Sequence, residues 1–358
     1  MGLLTLDVFN VRNIVKARIE PAAQFNFIYG LNGSGKSALL EAIFLMGRAK
    51  SFRSTDLSKV INFNANQFIV SGKVSQAKKN NTTIGIQYHS GQLVTRIDQQ
   101  TVKSKASIAY CFPLQIIHPK SYRTLDAGPQ IRREFMDWGV FNLDPAFLSI
   151  WRRFKTALTQ RNAALKNKVL NEVRVWEPEL AYYGTIVQQC RCDYLEQLKP
   201  YFLLVSEQLL GITEIEIKIN AGWDAAFTYE QVLHTSIEKD LRYGYTRLGP
   251  HRGDLSVLVQ KRQAKDYVSR GQLKMLVLAL SMAQVLMLKE NNQQMGCFMI
   301  DDLTAELDRR SKEKVFRCLD DMNVQVFLTA TDPESFKNDL PKGNHKMFHV
   351  EQGVVTEA

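Results

Sequence analysis

Cysteine is scarce and scattered. The five residues Cys111, Cys190, Cys192, Cys297 and Cys318 are odd in number and show no zinc-type spacing with histidines, so neither a disulfide framework nor a metal knuckle is indicated. Long apolar runs are missing. The most apolar segment, MLVLALSMAQVLML at 275–288, has 14 residues and includes Ser281 and Gln284, which reads as a buried helix and not as a membrane span. Acidic residues are in deficit, 36 Asp plus Glu against 46 Lys plus Arg, for a net charge of +10. That balance favours a polyanionic or acidic-membrane partner without naming one. No internal repeat or low-complexity stretch stands out, and without a sustained heptad run in the helical region a long coiled-coil arm is not expected. The opening MGLLTLDVFNVRN lacks a leading basic region and meets Asp7 early, so it does not read as a signal peptide. A reducing, cytoplasmic setting without membrane contact is expected.

What is present has the texture of an α/β protein. LLTLDV, VKARIE and FNFIY read as strands in the first thirty residues, and SALLEAIFLMG reads as a helix that stops at Gly47. From 68 to 103 the pattern alternates, giving antiparallel strands with KKNN and SGQ turns. LQIIHP at 114–119 is a further short strand. Then Phe147, Ile150, Trp151, Phe154 and Leu158 form one apolar helix stripe, and helical patterns continue over 177–210. Strand and helix alternate again after Lys289. The expected architecture is a P-loop core with a parallel sheet and an antiparallel β subdomain, residues 1–138 and 242–358, with a mostly helical lobe inserted at 139–241.

The segment GLNGSGKS at 30–37 matches G-x-x-x-x-G-K-[ST] in full, between an apolar strand and an amphipathic helix. Gly30, Gly33 and Gly35 let the backbone, with Leu31, Asn32 and Ser34, wrap a phosphate chain whose charge suits the helix N-terminus. Lys36 is expected on the β- and γ-phosphates and Ser37 on Mg²⁺, which makes ATP the implied ligand. CFMIDD at 297–302 is a hydrophobic strand ending in two carboxylates. Asp301 is placed to hold the Mg²⁺ shell and Asp302 to polarise the attacking water. VSRGQLKMLVLAL carries a second anion-favouring helix start, with Ser269 as cap or phosphate donor and Gly271 allowing close approach. P-loop, helix start and acidic strand in that order form the ATP-binding-cassette layout. His345 and His349 lie four apart, but HKMFH alternates like a strand and lacks the zinc-protease glutamate, so it is not read as a metal site.

Over essentially its whole length the chain resembles the RecF family of bacterial DNA replication and repair ATPases, relatives of the heads of structural-maintenance-of-chromosomes proteins. The stretches that carry the likeness are FNVRN, GLNGSGKSALLEAI, SFRS, PLQIIHPKSYRTLDAGPQIRREFMDWG, QRNAAL, GPHRGDL, SRGQLK and IDDLTAELD. The resemblance implies a cassette-type ATPase head and several residue roles. Gln115 takes the Q-loop position, linked to the metal and the attacking water. Ser269, Arg270, Gly271 and Gln272 stand as the signature motif, Asp308 of AELD lies near a dimer seam, and Arg12 and Asn13 lie near the nucleotide. It further implies an ATP-dependent homodimer, because a cassette signature closes over the γ-phosphate held by another subunit.

The sequence departs from the wider cassette pattern at two places. Asp302 stands where cassette ATPases carry Glu, and TATD offers Thr329 and Thr331 in place of the switch histidine. Both suggest slow hydrolysis, suited to a timed switch.

For DNA, the run at 151–174 holds seven Lys or Arg against one Glu, which either contacts phosphates or forms a solvated helix face. RAKSFRS at 48–54 adds basic charge. No aromatic-rich single-strand platform is visible, so duplex backbone binding is the expectation. By resemblance, double-stranded DNA at gap junctions, RecR and RecO are the implied partners, RecA loading is the implied outcome, and the implied setting is DNA damage and the SOS response. Two other readings share the motifs: the ATPase subunit of a membrane transporter, and a non-enzymatic DNA scaffold with a vestigial nucleotide site.

Overall fold

Three sheets and a set of helices make up the chain in the computed structural model, which describes residues 2–76, 79–292, 296–302, 307–337 and 344–358. Backbone contacts divide it into two compact units. Unit 1 comprises residues 1–122 and 288–358, and unit 2 comprises 123–287.

Unit 1 opens with β1 (Gly2–Val11), β2 (Ile14–Ile19) and β3 (Phe25–Tyr29), followed by α1 (Lys36–Arg48). Next come β4 (Gln67–Gln76), β5 (Lys79–His89), β6 (Gln92–Ile97), β7 (Gln100–Thr101), α2 (Lys105–Cys111) and β8 (Leu114–Ile117). β1, β2 and β4 to β7 form an antiparallel sheet in the order β2-β1-β4-β5-β6-β7. β5 starts at Lys79, so Lys79, Asn80 and Asn81 of the expected turn lie in the strand, while Ser90 and Gly91 do make the next turn. β3 is buried over four of its five residues, as a strand covered on both faces must be. It enters a second, largely parallel sheet.

α1 is buried along nearly its whole length, and its apolar side chains share one core with residues of both sheets. The helix does not stop at Gly47. It ends one residue later, capped by Ala49 in the left-handed region at φ 47°. Gly47 serves packing, because a Cβ there would lie 2.2 Å from Leu114 Cδ2.

Unit 2 contains α3 (Pro129–Leu143), α4 (Phe147–Lys166), α5 (Leu170–Leu210), β9 (Ile215–Asn220), α6 (Tyr229–Tyr243), β10 (Asp254–Val259), β11 (Arg262–Gln263), α7 (Ala264–Tyr267) and most of α8 (Arg270–Asn292). Its helices are joined by a three-stranded antiparallel sheet, β11-β10-β9, that sequence reading missed. The unit boundaries, 122/123 and 287/288, differ from the expected 138/139 and 241/242. α3, β10, β11 and the signature helix start cluster with the helical lobe, while the P-loop belongs to the other unit. α8 runs beyond the 14-residue apolar segment and is long and apolar enough by composition to cross a membrane, but most of that window is buried inside the protein.

Charged residues from the matched motifs hold unit 2 together. Arg161, fully buried on α4, pairs with the equally buried Asp240 at 2.9 Å and with Glu177 at 2.8 Å. Arg191 grips Asp137 at 2.8 Å, and Arg132 grips Asp254 at 2.7 Å. Arg161 is therefore withdrawn from the basic run at 151–174, and that run is split over α4 and α5 instead of forming one helix face.

The chain returns to unit 1 through β12 (Cys297–Ile300), α9 (Arg309–Met322), β13 (Val326–Ala330), α10 (Glu334–Lys337), β14 (His345–Glu351) and β15 (Val354–Glu357). The second sheet has the order β15-β14-β3-β13-β12-β8; its β14–β15 pair is antiparallel and the other pairs among the described residues are parallel. This brings the carboxyl ends of β3, β12 and β13 together, where ligands bind in sheets of this kind.

Candidate functional site

The loop between β3 and α1 is shaped by three glycines with positive φ, at 151° for Gly30, 79° for Gly33 and 125° for Gly35. Gly30 has no alternative, since a Cβ would lie 2.1 Å from the Val350 carbonyl oxygen. The loop is braced from two sides. Asn13 Nδ2 donates to Ser34 O at 2.8 Å, and the Gly353 N–H from the β14–β15 turn donates to the same oxygen at 2.8 Å. Gly353 is forced too, at φ 82° with a Cβ position 2.0 Å from Asn13 O. The brace from Gly353 was not anticipated, because no motif marks it.

Lys36 opens α1 and donates to Gly30 O at 2.6 Å and Leu31 O at 2.9 Å, folding its ammonium over the loop. Burial pulls its pKa below the ordinary lysine value, and Asp302 and then Asp301 oppose that shift. The first turn of α1 leaves N–H groups without intrahelical carbonyls. Ser34 Oγ is buried with no hydrogen-bond partner among the described residues. Unpaired donors beside a folded-back ammonium are what a phosphate chain satisfies.

Ser37 Oγ donates to Asp301 Oδ1 at 3.1 Å, which joins the P-loop helix to the end of β12. Thr329 Oγ1 on β13 donates to the same carboxylate oxygen at 2.8 Å and accepts from the Asp302 N–H at 2.7 Å. Asp302 holds a left-handed φ of 60°, costly for a non-glycine residue and sustained here by that hydrogen bond. Arg12, Asn13, Asn32, Gly33, Gly35, Lys36, Ser37, Asp301, Asp302 and Thr329 line one cavity of about 360 Å³. Two hard oxygens, Ser37 Oγ and Asp301 Oδ1, meet at its wall, and this donor set suits Mg²⁺, which takes one or two protein ligands and keeps its waters.

Arg12 lies in the β1–β2 turn and forks onto Glu41 of α1 at 2.8 and 2.9 Å; Glu41 is fully buried and also accepts from Ser51. Hydrogen bonding to Glu41 raises the Arg12 pKa above its ordinary value. Glu41 and Ser51 were not singled out from sequence, and neither was Arg53, read as part of a basic DNA-binding stretch. Arg53 lines the cavity. Beside this cavity runs a more open groove that shares Arg12 and Asn13 and has Val15, Ile61 and Phe63 as its apolar wall.

Several expected residues lie outside this cluster. Leu31 points to solvent, 79% exposed. Gln115 is aligned with Phe298, three residues before Asp301 in the parallel register, which sets it about 10 Å back along the sheet. It does not line the cavity, so the metal role assigned to it is not met by this geometry. The residue following the end of β8 is His118, packed on Phe52 at 5.2 Å, its pKa lowered to about 4 by burial and by Lys120. Thr331 is exposed and lines nothing in the site. Of the AELD segment, Ala305 and Glu306 lie outside the described residues. Asp308 is exposed and caps α9, accepting from the Ser311 N–H at 2.8 Å.

The signature residues belong to unit 2. Ser269 Oγ accepts from the Gln272 N–H at 3.2 Å and Gln272 Oε1 accepts from the Ser269 N–H at 3.0 Å, a reciprocal capping box. Ser269, Arg270, Gly271 and Gln272 are all exposed.

Comparison with known proteins agrees with this arrangement. Residues 3–356 match the family model described as RecF/RecN/SMC N terminal domain. The chain is 36% identical over 364 residues to the DNA replication and repair protein RecF of Pseudomonas entomophila (strain L48), covering 100% of this chain and 98% of that protein. It is 36% identical over 358 residues to the protein of that name from Shewanella frigidimarina (strain NCIMB 400), covering 99% of each. Among solved structures it is similar to the recombination mediator protein RecF-ATP of the RecFOR pathway, with a TM-score of 0.88 and 27% identity over 100% of this chain and 97% of the other. The match extends from β1 to β15 and takes in the P-loop, the acidic strand end and the helical unit alike, so the chain belongs to the RecF family of DNA replication and repair ATPases.

Proposed function

We propose that the chain is an ATP-switched DNA-binding protein of recombinational repair and replication restart. It binds duplex DNA beside single-strand gaps as an ATP-bridged homodimer and promotes RecA loading in the cytoplasm, with RecR and RecO as partners. The observation that carries this reading is the cavity in which Lys36, Ser37, Asp301 and Asp302 converge, together with an exposed, capped signature helix start at Ser269–Gln272. A second copy can supply it. A nucleotide touching two copies binds the closed dimer better than either monomer, and so drives closure.

In this reading Lys36 exchanges its bonds to Gly30 O and Leu31 O for the β- and γ-phosphates. Arg12 and Asn13 stand between the phosphate cavity and the groove walled by Val15, Ile61 and Phe63, which suits the base. Ser37 and Asp301 hold Mg²⁺, whose charge offsets that of the phosphates. Asp302 orients the attacking water. Its side chain is shorter than the usual Glu and its backbone is held by Thr329, which supports slow turnover. Loss of the γ-phosphate removes the bridge and releases the dimer. The solved relative named a recombination mediator of the RecFOR pathway supports the choice of pathway.

The test is two-way coupling. Double-stranded DNA should raise the hydrolysis rate, and ATP should tighten DNA binding. Absence of coupling in both directions overturns the proposal.

A further inference from the structure

α1 buries two charged side chains, Lys36 of the P-loop and Glu41. Lys36 serves the phosphates, but Glu41 is sealed among Leu40, Ala42 and Ile43, all fully buried like itself. A buried ion pair adds little stability over apolar side chains of the same volume. The fold alone therefore does not explain a carboxylate at this position.

Both of its oxygens are committed to elements that border the P-loop cavity. Oε2 accepts from Arg12 Nε at 2.8 Å, and Oε1 accepts from Arg12 Nη2 at 2.9 Å and from the Ser51 hydroxyl. Arg12 Nη1 donates to Lys59 O, so every branch of the guanidinium has a fixed acceptor. The Arg12 backbone is held as well, in the left-handed region at φ 55°. Its N–H donates to Val60 O at 2.7 Å and its carbonyl accepts from Asn62 Nδ2 at 2.6 Å. Such strain in a non-glycine residue persists where the surroundings over-determine it, and it collects at functional sites.

Ser51 carries the same hold to a second arginine. While its hydroxyl donates to Glu41, its Oγ accepts from the N–H groups of Arg53 at 2.9 Å and Ser54 at 3.0 Å, which closes the turn that presents Arg53. Phe52 anchors the turn from the other side, packed on Phe44 of α1 at 5.4 Å and on His118 at 5.2 Å. Arg53 is exposed, lines the cavity and has no acidic partner among the described residues.

We infer that Glu41 is a positioning residue for nucleotide binding: one buried carboxylate aims Arg12 directly, and Arg53 through Ser51, at the phosphates that Lys36 receives. The inference rests on the ATP site proposed above. The two arms supply different things. Arg12, its charge offset by Glu41, keeps one further hydrogen on each Nη and offers directed donors. Arg53 brings an uncompensated charge. Donors fixed in advance need no ordering when the ligand arrives, so the effect of Glu41 falls on affinity.

The full chain is titrated with a fluorescent ATP analogue in the presence of Mg²⁺, and with inorganic tripolyphosphate as competitor. Lys36→Ala is the control: binding equal to that of the parent would overturn the ATP site itself, and the inference with it. Glu41→Gln keeps the shape and removes the charge. It should weaken the analogue and tripolyphosphate alike, about tenfold, because the contacts are to phosphates. In an Arg12→Ala, Arg53→Ala background the same substitution should change either affinity by less than about twofold, which a purely structural role would not produce. Ser51→Ala leaves Glu41 paired with Arg12 and tests the second arm by itself. It should weaken binding about threefold, and Ser51→Thr should restore it. With the Lys36 control intact, two results would overturn the inference alone: affinities within about twofold of the parent in both Glu41→Gln and Ser51→Ala, or a loss in Glu41→Gln that is undiminished once both arginines are gone.

Discussion

Thr329 ties both acids at the end of β12 into one geometry: its hydroxyl donates to Asp301 at 2.8 Å and accepts from the Asp302 N–H at 2.7 Å. The threonine is fully buried, so its hydroxyl cannot exchange these bonds for water. Thr329→Val keeps the shape and removes both bonds. Hydrolysis should fall about 10- to 100-fold, while nucleotide affinity changes much less. Steady-state turnover beside equilibrium nucleotide binding checks this, and unchanged turnover would show that the strand ends hold themselves.

Ser269 should matter to association and not to folding. Ser269→Arg puts a long cation on an exposed helix start and removes a cap worth about 1 kcal/mol. The variant should stay folded and fail to double its mass with ATP. Light scattering decides, and normal ATP-dependent doubling would remove the signature from the interface.

Arg161 tests the opposite kind of residue. Arg161→Ala leaves Asp240 buried without its cation, which should cost about 3–5 kcal/mol of stability. Thermal or denaturant unfolding measures it. A loss of duplex affinity with no loss of stability would return Arg161 to the DNA surface.

Acid should weaken the fold through two histidines. Burial lowers both His118 and His251 from 6.5 to about 4. For His251 burial outweighs the hydrogen bond that opposes it, from Nε2 to Thr246 O at 2.9 Å, and Nδ1 is buried without a partner among the described residues. Above pH 6.5 folded and unfolded chains are both neutral at these positions, so no penalty arises. Below it the unfolded chain takes up protons that the fold refuses, and stability drains away until about pH 4. Melting temperature followed over that window should fall less steeply in His251→Asn than in the parent chain.

The P-loop and the acidic strand end were legible because each is a local signal: glycines before a lysine, and an apolar strand stopped by two carboxylates. The contacts that brace them were not. Asn13 and Gly353 meet at Ser34 from opposite ends of the chain, and Glu41 is claimed by Arg12 from another element. Arg161 looked like one more cation in a basic run, because its partner Asp240 lies 79 residues away. Gln115 was assigned by family position, whereas strand register decides where it sits.

The central claim is that each ATP site takes its P-loop from one copy and its signature from another. Mixing two inactive variants tests it most directly. Lys36→Ala should abolish hydrolysis through the P-loop, and Ser269→Ala should depress it strongly through the signature. A mixed dimer holds one site in which both halves are intact, so an equal mixture should hydrolyse ATP well above the sum of the separate variants. A Ser269→Ala protein as active as the parent, or a mixture that gains nothing while mass measurement shows mixed dimers, would contradict the account.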